Sequence, residues 1–450
     1  LIHGEHSAMM NQRHLAALAG ILLLNLVMAT TSSAADASWP QFRGPDGQGN
    51  VPQSEAPLEW TEDQGVRWKT AIPGRGWSSP VVLGDQIWLT TAVETEVDPE
   101  VLKRRTEGNP MANSLEMAGS LSLRVVCVDR SSGTITRNEE VFHISDPNPI
   151  HSLNSYASPS PIIEPGRLYC NFGRYGTACV DTSSGSKLWE RQFTIEHYVG
   201  PGSSPVTCGD VLVLTCDGAD QQFITAVNKM TGEDAWKVDR PPIRAKNPDF
   251  RKSYCTPLVV EYNGQKQIVI PGAQWFIAYD PKDGGEIWRV DHGNGFSLVP
   301  RPVVEGDHVY CCTGFNGVGL VSVRLGGAGD VTKTHVEWQH RQQAPTQPSP
   351  IIHMGRIYTI SDNGIGQCLD AGSGEEKWKK RLPGNYSASP LRIGERLYFF
   401  NRDGLTTVIS ADGEVLAENQ LEGEQMATPA VVEGELILRT DTHLYAIGNK

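Results

Sequence analysis

Nine cysteines in one chain invite a disulfide reading, and two of them, Cys311 and Cys312, are adjacent. The neighbourhood of the others argues for packing instead. Cys127, Cys179 and Cys368 each stand two residues before an Asp, and the matching stretches carry Ala226, Ala278 and Ser322 there. A position that takes Cys, Ala or Ser alike selects a small side chain rather than a reactive one. Cys170, Cys216 and Cys311 share a second recurring context. The odd total leaves at least one thiol unpaired within the chain. Cys311-Cys312 continues His308-Val309-Tyr310, a strand pattern. Adjacent side chains of a strand point to opposite faces, so this pair would not bond without local distortion.

Other chemistry-bearing residues fall in segments that do not recur. They are His151, Asn154, Tyr156, Arg174, Tyr175, His197, Asp217, Asp220, Gln221, Gln274 and Trp275, then Asn316, Asp362, Asn363, Arg402, Asp403 and Asp441. Carboxylates, amides, a few cations and aromatic rings together suit a polar ligand or an extended peptide. The competing role is local, since Asp and Asn side chains cap turns. A His could transfer protons, but no partner is fixed by spacing. There is no zinc spacing, no His-Glu-x-x-His, no Gly-x-Ser-x-Gly and no phosphate loop. The run Gly314-Phe315-Asn316-Gly317-Val318-Gly319 reads as a turn. No catalytic residue and no metal ligand is assigned.

The element that must position these residues repeats eight times. Each copy reads Ser/Thr/Arg-Pro, apolar run, tight turn, apolar run, small-x-Asp, Ser/Thr-Gly, Trp. The anchors are Pro80, Pro161, Pro205, Pro257, Pro302, Pro350, Pro390 and Pro429; after a first gap of 81 residues they lie 39 to 52 apart. Four-stranded propeller blades have this period. The expected fold is therefore an all-β, eight-bladed propeller over residues 38–450. The long first gap implies an insertion at about 93–121 in blade 1. Strand A would begin at the anchor Pro, where a missing N–H costs no ladder bond. The last copy lacks an outer strand, while Gly65-Val66-Arg67-Trp68-Lys69 precedes the first anchor with Trp at the matching place. This segment is expected to complete blade 8 and remove the open edge. Blades 5 and 7 are degenerate copies. The unrepeated residues all fall in the D–A and B–C loops, which leave one face of such a ring.

Charge and composition narrow the partners. With 39 basic and 52 acidic residues the formal net charge is −13, so nucleic acid is not an expected partner. Gly 46 and Pro 29 favour short strands joined by turns. Residues 1–37 hold Arg13, an apolar stretch from Leu15 to Met28 and a small-residue segment up to Ala37. That order is a signal-peptide layout, too short in its apolar part for a bilayer span. The mature chain is expected to start near residues 35–38, to be exported to the periplasm or outside the cell, and to be a monomer without a transmembrane span.

The phrase Asp-x-x-Ser/Thr-Gly-x-x-x-Trp occurs at Asp181, Gly185 and Trp189, at Asp280, Gly284 and Trp288, and at Asp370, Gly374 and Trp378. Asn228, Gly232 and Trp236 form a variant of it. It resembles the tryptophan-docking motif of the pyrroloquinoline-quinone-like β-propeller repeat family. The resemblance implies that each Trp packs on a neighbouring blade and each Asp braces its turn. The family includes quinoprotein dehydrogenases and non-catalytic scaffolds of outer-membrane protein assembly. The opening Trp39-Pro40-Gln41-Phe42-Arg43-Gly44-Pro45 is similar in style to exported repeat proteins of this kind. The reading favoured is a binding or scaffold propeller that holds an envelope protein or a polar extracellular ligand, without a cofactor. The alternative is a dehydrogenase. That would require pyrroloquinoline quinone with Ca²⁺, held by acidic and amide oxygens over a Trp floor with a catalytic Asp, and a vicinal disulfide such as Cys311-Cys312. A third reading is a polysaccharide-binding accessory protein.

Overall fold

The computed structural model describes residues 38–52, 56–109 and 111–448, so the signal-peptide expectation lies outside the described residues. Eight sheets, each built on four antiparallel strands and three of them carrying a fifth, follow one another around a ring. Blade 3 is a regular example, with strands Val206–Cys208, Val211–Asp217, Gln222–Asn228 and Asp234–Asp239 in spatial order. Strand B shows why its sequence is mostly apolar. Leu212, Leu214 and Cys216 enter the core shared with blade 2, while Val213 enters the core shared with blade 4. A strand buried on both faces cannot alternate apolar with polar. The outer strands do so, as in Glu376–Arg381.

The small position before the Asp has a steric cause. Cys179, Ala226, Ala278, Ser322 and Cys368 pair directly across strands C and D with Trp189, Trp236, Trp288, Trp338 and Trp378. A large residue there would collide with the indole, and a register shift follows each pair. The indoles then lock neighbouring blades. Trp189, Trp236, Trp338 and Trp378 donate Nε1–H to the carbonyls of Lys229, Pro281, Ala371 and Ala411 in the next blade, at 2.9 to 3.0 Å. Asp181 and Asp370 accept two turn amides each, as does Asn228, and Asp280 accepts one. Trp288 departs from the motif: it packs in the blade 4–5 core but donates to Gln267 Oε1 of its own blade at 2.7 Å. Degenerate blade 5 supplies Gly329–Asp330 as an added outer strand on blade 4 instead.

Val66–Ala71 forms the outermost strand of blade 8, antiparallel to His443–Ile447. Trp68 faces the small Ala446 and docks on the Arg130 carbonyl of blade 1 at 2.8 Å. The ring is thus closed by a segment that precedes blade 1 in the chain. All nine cysteines are buried free thiols. Cys311 lies in the blade 4–5 core and Cys312 in the blade 5–6 core, on opposite faces of one strand.

Residues 38–52 seal one end of the ring. Ser38–Trp39 pairs with Trp39↔Val82 in blade 1, and Asn50–Val51 runs parallel to Arg392–Ile393 in blade 7. Between them the Pro40 carbonyl accepts from Ile163 N, and Arg43 donates to Pro350 O at 2.7 Å. Gly47, at φ +72°, passes so close to the Arg301 guanidinium that a Cβ would lie 2.3 Å from it. On the other face, strand B of blade 1 ends at Glu94 and strand C begins at Leu121; between them stands the helix Pro99–Thr106, capped by Asp98. Leu115–Glu116 of the same connection pairs with Ile150–His151.

Candidate binding site

The residue before each anchor Pro does more than start a strand. Ser79 N donates to Ser160 Oγ, Ser160 N to Ser204 Oγ, and Ser204 N to Thr256 Oγ1. Arg301 N donates to Ser349 Oγ, Ser349 N to Ser389 Oγ, and Ser389 N to Thr428 Oγ1. These six bonds run blade to blade around the axis at 2.9 to 3.1 Å. Arginines span the two gaps. Arg301 Nε donates to Pro257 O between blades 4 and 5, and Arg439 Nη1 donates to Ser78 O and Oγ between blades 8 and 1.

Above this ring opens an axial cavity of about 440 Å³. The residue two before each ring position lines it as well: Trp77, Ser158, Gly202, Tyr254, Val299, Gln347, Ser387 and Met426. Two-residue spacing in an extended segment turns both sets toward the axis. Phe42 of the N-terminal seal lies against the cavity from below, so it opens only on the D–A/B–C side. The mouth carries apolar side chains exposed to solvent: Leu153 39 %, Tyr198 47 %, Phe250 37 % and Phe315 45 %. Phe250 and Phe315 flank Phe296 at centroid distances of 4.4 and 6.0 Å.

Charge is unevenly placed. Lys252, almost fully buried, pairs with Asp249 in the wall, and burial lowers its ammonium pKa. Arg43, Arg301 and Arg439 are buried and form no salt bridge among the described residues. Burial pulls Arg43 down to about 9, Arg301 to about 10 and Arg439 to about 9. Each is bonded within one residue of the lining: Arg301 Nη1 to Phe42 O, Arg439 to Ser78, and Arg43 to Pro350 O.

The expected site residues separate into groups. His151 and Asn154 line the cavity. Arg402 and Asp362 brace it from behind, Arg402 through Ser387 Oγ at 2.8 Å and Asp362 through Thr346 N at 2.9 Å. Tyr156 and Tyr175 are buried and both bind Asn148, through its carbonyl and its amide. Asp217 is buried against Arg240 at 2.7 Å. His197 is buried with neither ring nitrogen bonded. Arg174 pairs with Glu196, whose amide Asp220 accepts, and Gln221 donates to Thr194 O. Gln274 accepts Arg244 N, and Trp275 lies between the Arg244 and Arg289 guanidiniums, each 5.5 Å away. Asn363 accepts Ser361 Oγ, the Asp403 carbonyl accepts Gln420 Nε2, Asp441 accepts Glu424 N, and Asn316 is exposed at φ 55°. Sequence reasoning missed the hydroxyl ring, Trp77, Lys252, Tyr254, Phe296 and Phe315. The ring did leave a signal, the recurrent Ser/Thr itself, which was read only as a strand start.

A family model described as outer membrane protein assembly factor BamB matches residues 58–238, 220–359, 272–391 and 330–449. No curated protein matches the chain. Among solved structures, BamB from Moraxella catarrhalis superposes with TM-score 0.57 at 12 % identity, over 85 % of this chain and 99 % of that one. A europium-containing methanol dehydrogenase gives 0.59 at 10 %, over 92 % and 90 %. The quinohemoprotein alcohol dehydrogenase ADHIIG from Pseudomonas putida HK5 gives 0.58 at 11 %, over 93 % and 82 %. At such identities the likeness concerns the fold. The dehydrogenase neighbours raise the question of a quinone with a cation. Asp249 is the one carboxylate among the described lining residues and is joined to Lys252; the floor is Phe42, not Trp. No group of three His, Cys, Asp or Glu side chains among the described residues could hold a metal ion. The donor set does not fit that cofactor. The match along nearly the whole repeat region, with the eight closed blades, makes this chain a member of the BamB-like family of pyrroloquinoline-quinone-type repeat propellers.

Proposed function

We propose that the protein is an exported, non-catalytic binding propeller that engages an envelope protein or ligand through its D–A/B–C face. The observation that carries this reading is the axial funnel, built by all eight blades, sealed below by residues 38–52 and rimmed above by exposed Leu153, Tyr198, Phe250 and Phe315. Apolar side chains gathered at the mouth of a rigid, one-ended cavity mark an interaction surface. Loops on a rigid ring hold such a surface at low entropic cost. Family membership points to protein binding, and among the described residues no helix is long and apolar enough to cross a membrane.

The test compares proteins captured from envelope extracts by the wild type, by Phe250→Ser/Phe315→Ser, and by Met354→Ser on the sealed face. Met354 is 79 % exposed and serves as the control. Loss of the same captured proteins with the rim variant alone supports the reading, and identical capture by all three sinks it. Dye-linked alcohol oxidation after loading with quinone and Ca²⁺ would overturn the non-catalytic part.

A further inference from the structure

The base of the funnel is rich in hydrogen-bond donors that the protein leaves unused. The hydroxyls of Ser79, Ser160, Ser204, Thr256 and Thr428 line the cavity, and none donates to an acceptor among the described residues. Ser160, Ser204, Thr256 and Thr428 already accept a backbone N–H, which leaves each hydroxyl hydrogen free to donate into the cavity. The Trp77 Nε1–H in the same wall is buried without a partner. Unused buried donors are costly unless a ligand or water meets them.

A second observation is independent of the first. Arg43, Arg301 and Arg439 surround the base and form no salt bridge among the described residues; exposed Asp46 acts on Arg43 and Arg301 from a distance, and Arg43 Nε and Nη1 and Arg439 Nε have no acceptor. Buried charges are normally paired, so three guanidiniums set against the one exposed carboxylate of Asp46 leave a net positive potential focused by low-dielectric walls. Asp249 does not cancel it, because Lys252 already does so for that carboxylate. Higher in the funnel the walls are aromatic and aliphatic: Tyr254, Phe296, Phe315 and Met426.

We infer that the funnel binds an amphipathic anion, its carboxylate, sulfate or phosphate head seated on the hydroxyl ring and its apolar body held by Tyr254, Phe296 and Phe315. This deepens the binding reading and rests on it. No group is transferred. A cavity of 440 Å³ lies within the range of small-molecule pockets, roughly 300–1,000 Å³.

The experiment uses one ring system with different heads. Titration calorimetry on the full protein compares naphthalene-2-sulfonate, naphthalene-2-carboxylate, 2-naphthol and (2-naphthyl)trimethylammonium. The anions are expected to bind one per chain, at least tenfold tighter than the neutral and cationic probes. Thr256→Val, close to isosteric, should weaken the anions at least fivefold and leave 2-naphthol unchanged. Phe296→Ala should weaken all four probes. Equal affinity for the four heads, or no binding, overturns the inference. So does tight anion binding that Phe296→Ala leaves intact, which would place the anion elsewhere. If the probes fail while the Phe250→Ser/Phe315→Ser variant still loses its captured proteins, the inference falls and the binding reading stands. Melting curves of both variants confirm that each is folded before titration.

Discussion

His292 offers a quantitative test of how this propeller holds its interior. The ring is 2 % exposed, stacks on Phe276 at a centroid distance of 4.3 Å, and keeps Nε2 2.9 Å from the Gly272 carbonyl. Nδ1 has no partner. Burial outweighs the nearby Asp291 carboxylate and holds the pKa at about 4, against 6.5 in the open chain. The folded state therefore resists protonation while the unfolded state accepts it. Stability is fully present above about pH 6.5 and falls as the pH drops toward 4. At about 1.4 kcal/mol per pH unit, the loss is about 2.5 kcal/mol by pH 4.5. His197, also held at about 4 by burial, should contribute a similar slope. Urea unfolding followed by tryptophan fluorescence, at pH 7.5, 6.5, 5.5 and 4.5, measures this for wild type, His292→Phe and His292→Phe/His197→Phe. Carboxylates titrate in the same window, so the difference between wild type and variant is the quantity to read. That difference should shrink by about 2.5 kcal/mol for the single variant and roughly twice that for the double. Parallel curves across the four pH values would refute the reasoning, whatever the absolute stabilities.

Asp217→Ala should cost about 3–5 kcal/mol, because it strands Arg240 in a site where both side chains are nearly inaccessible. With about 2 cal/mol/K of unfolding entropy per residue, Tm should fall by roughly 3–6 °C in calorimetry. Gly374→Ala would place a Cβ 2.6 Å from the Trp338 ring at φ +73°, and should destabilise by about 2 kcal/mol in the same assay. Arg301→Met removes the donors to Phe42 O, Gln41 Oε1 and Pro257 O; it should cost about 2 kcal/mol and speed proteolytic cleavage within residues 38–52.

The blades were legible in the sequence because their rules are local and repeated. Anchor Pro, turn Gly and small residue opposite Trp each recur, and even Val66–Ala71 could be matched to blade 8 by its Trp. The site was less legible for a physical reason. The cavity base is made by two residues from each of seven distant segments and one, Val299, from the eighth, and their shared direction comes from the ring. Residues chosen for being chemically rich and unrepeated proved mostly to serve turns, as with Asp441 on Glu424 N, or buried pairs, as with Asp217. Ser160 and Ser204 looked like scaffold because they repeat, and they are scaffold and lining at once. Trp39–Gly49 carried no sign of its sealing role, since its partners lie hundreds of residues away.

The closing blade joins the two ends of the described chain: Tyr445 reaches Glu62 across 383 positions, and Arg67 meets Glu435 across 368. During synthesis the strand Val66–Ala71, which will finish the ring, is made before any blade and must wait for its partner His443–Ile447 until the blades between them have emerged. No earlier intermediate can reproduce the Trp68–Ala446 pairing. Closure of the ring is therefore deferred until His443–Ile447 has been made, and a ribosome that stops short of it leaves an unzipped arc with two exposed edges rather than a smaller propeller.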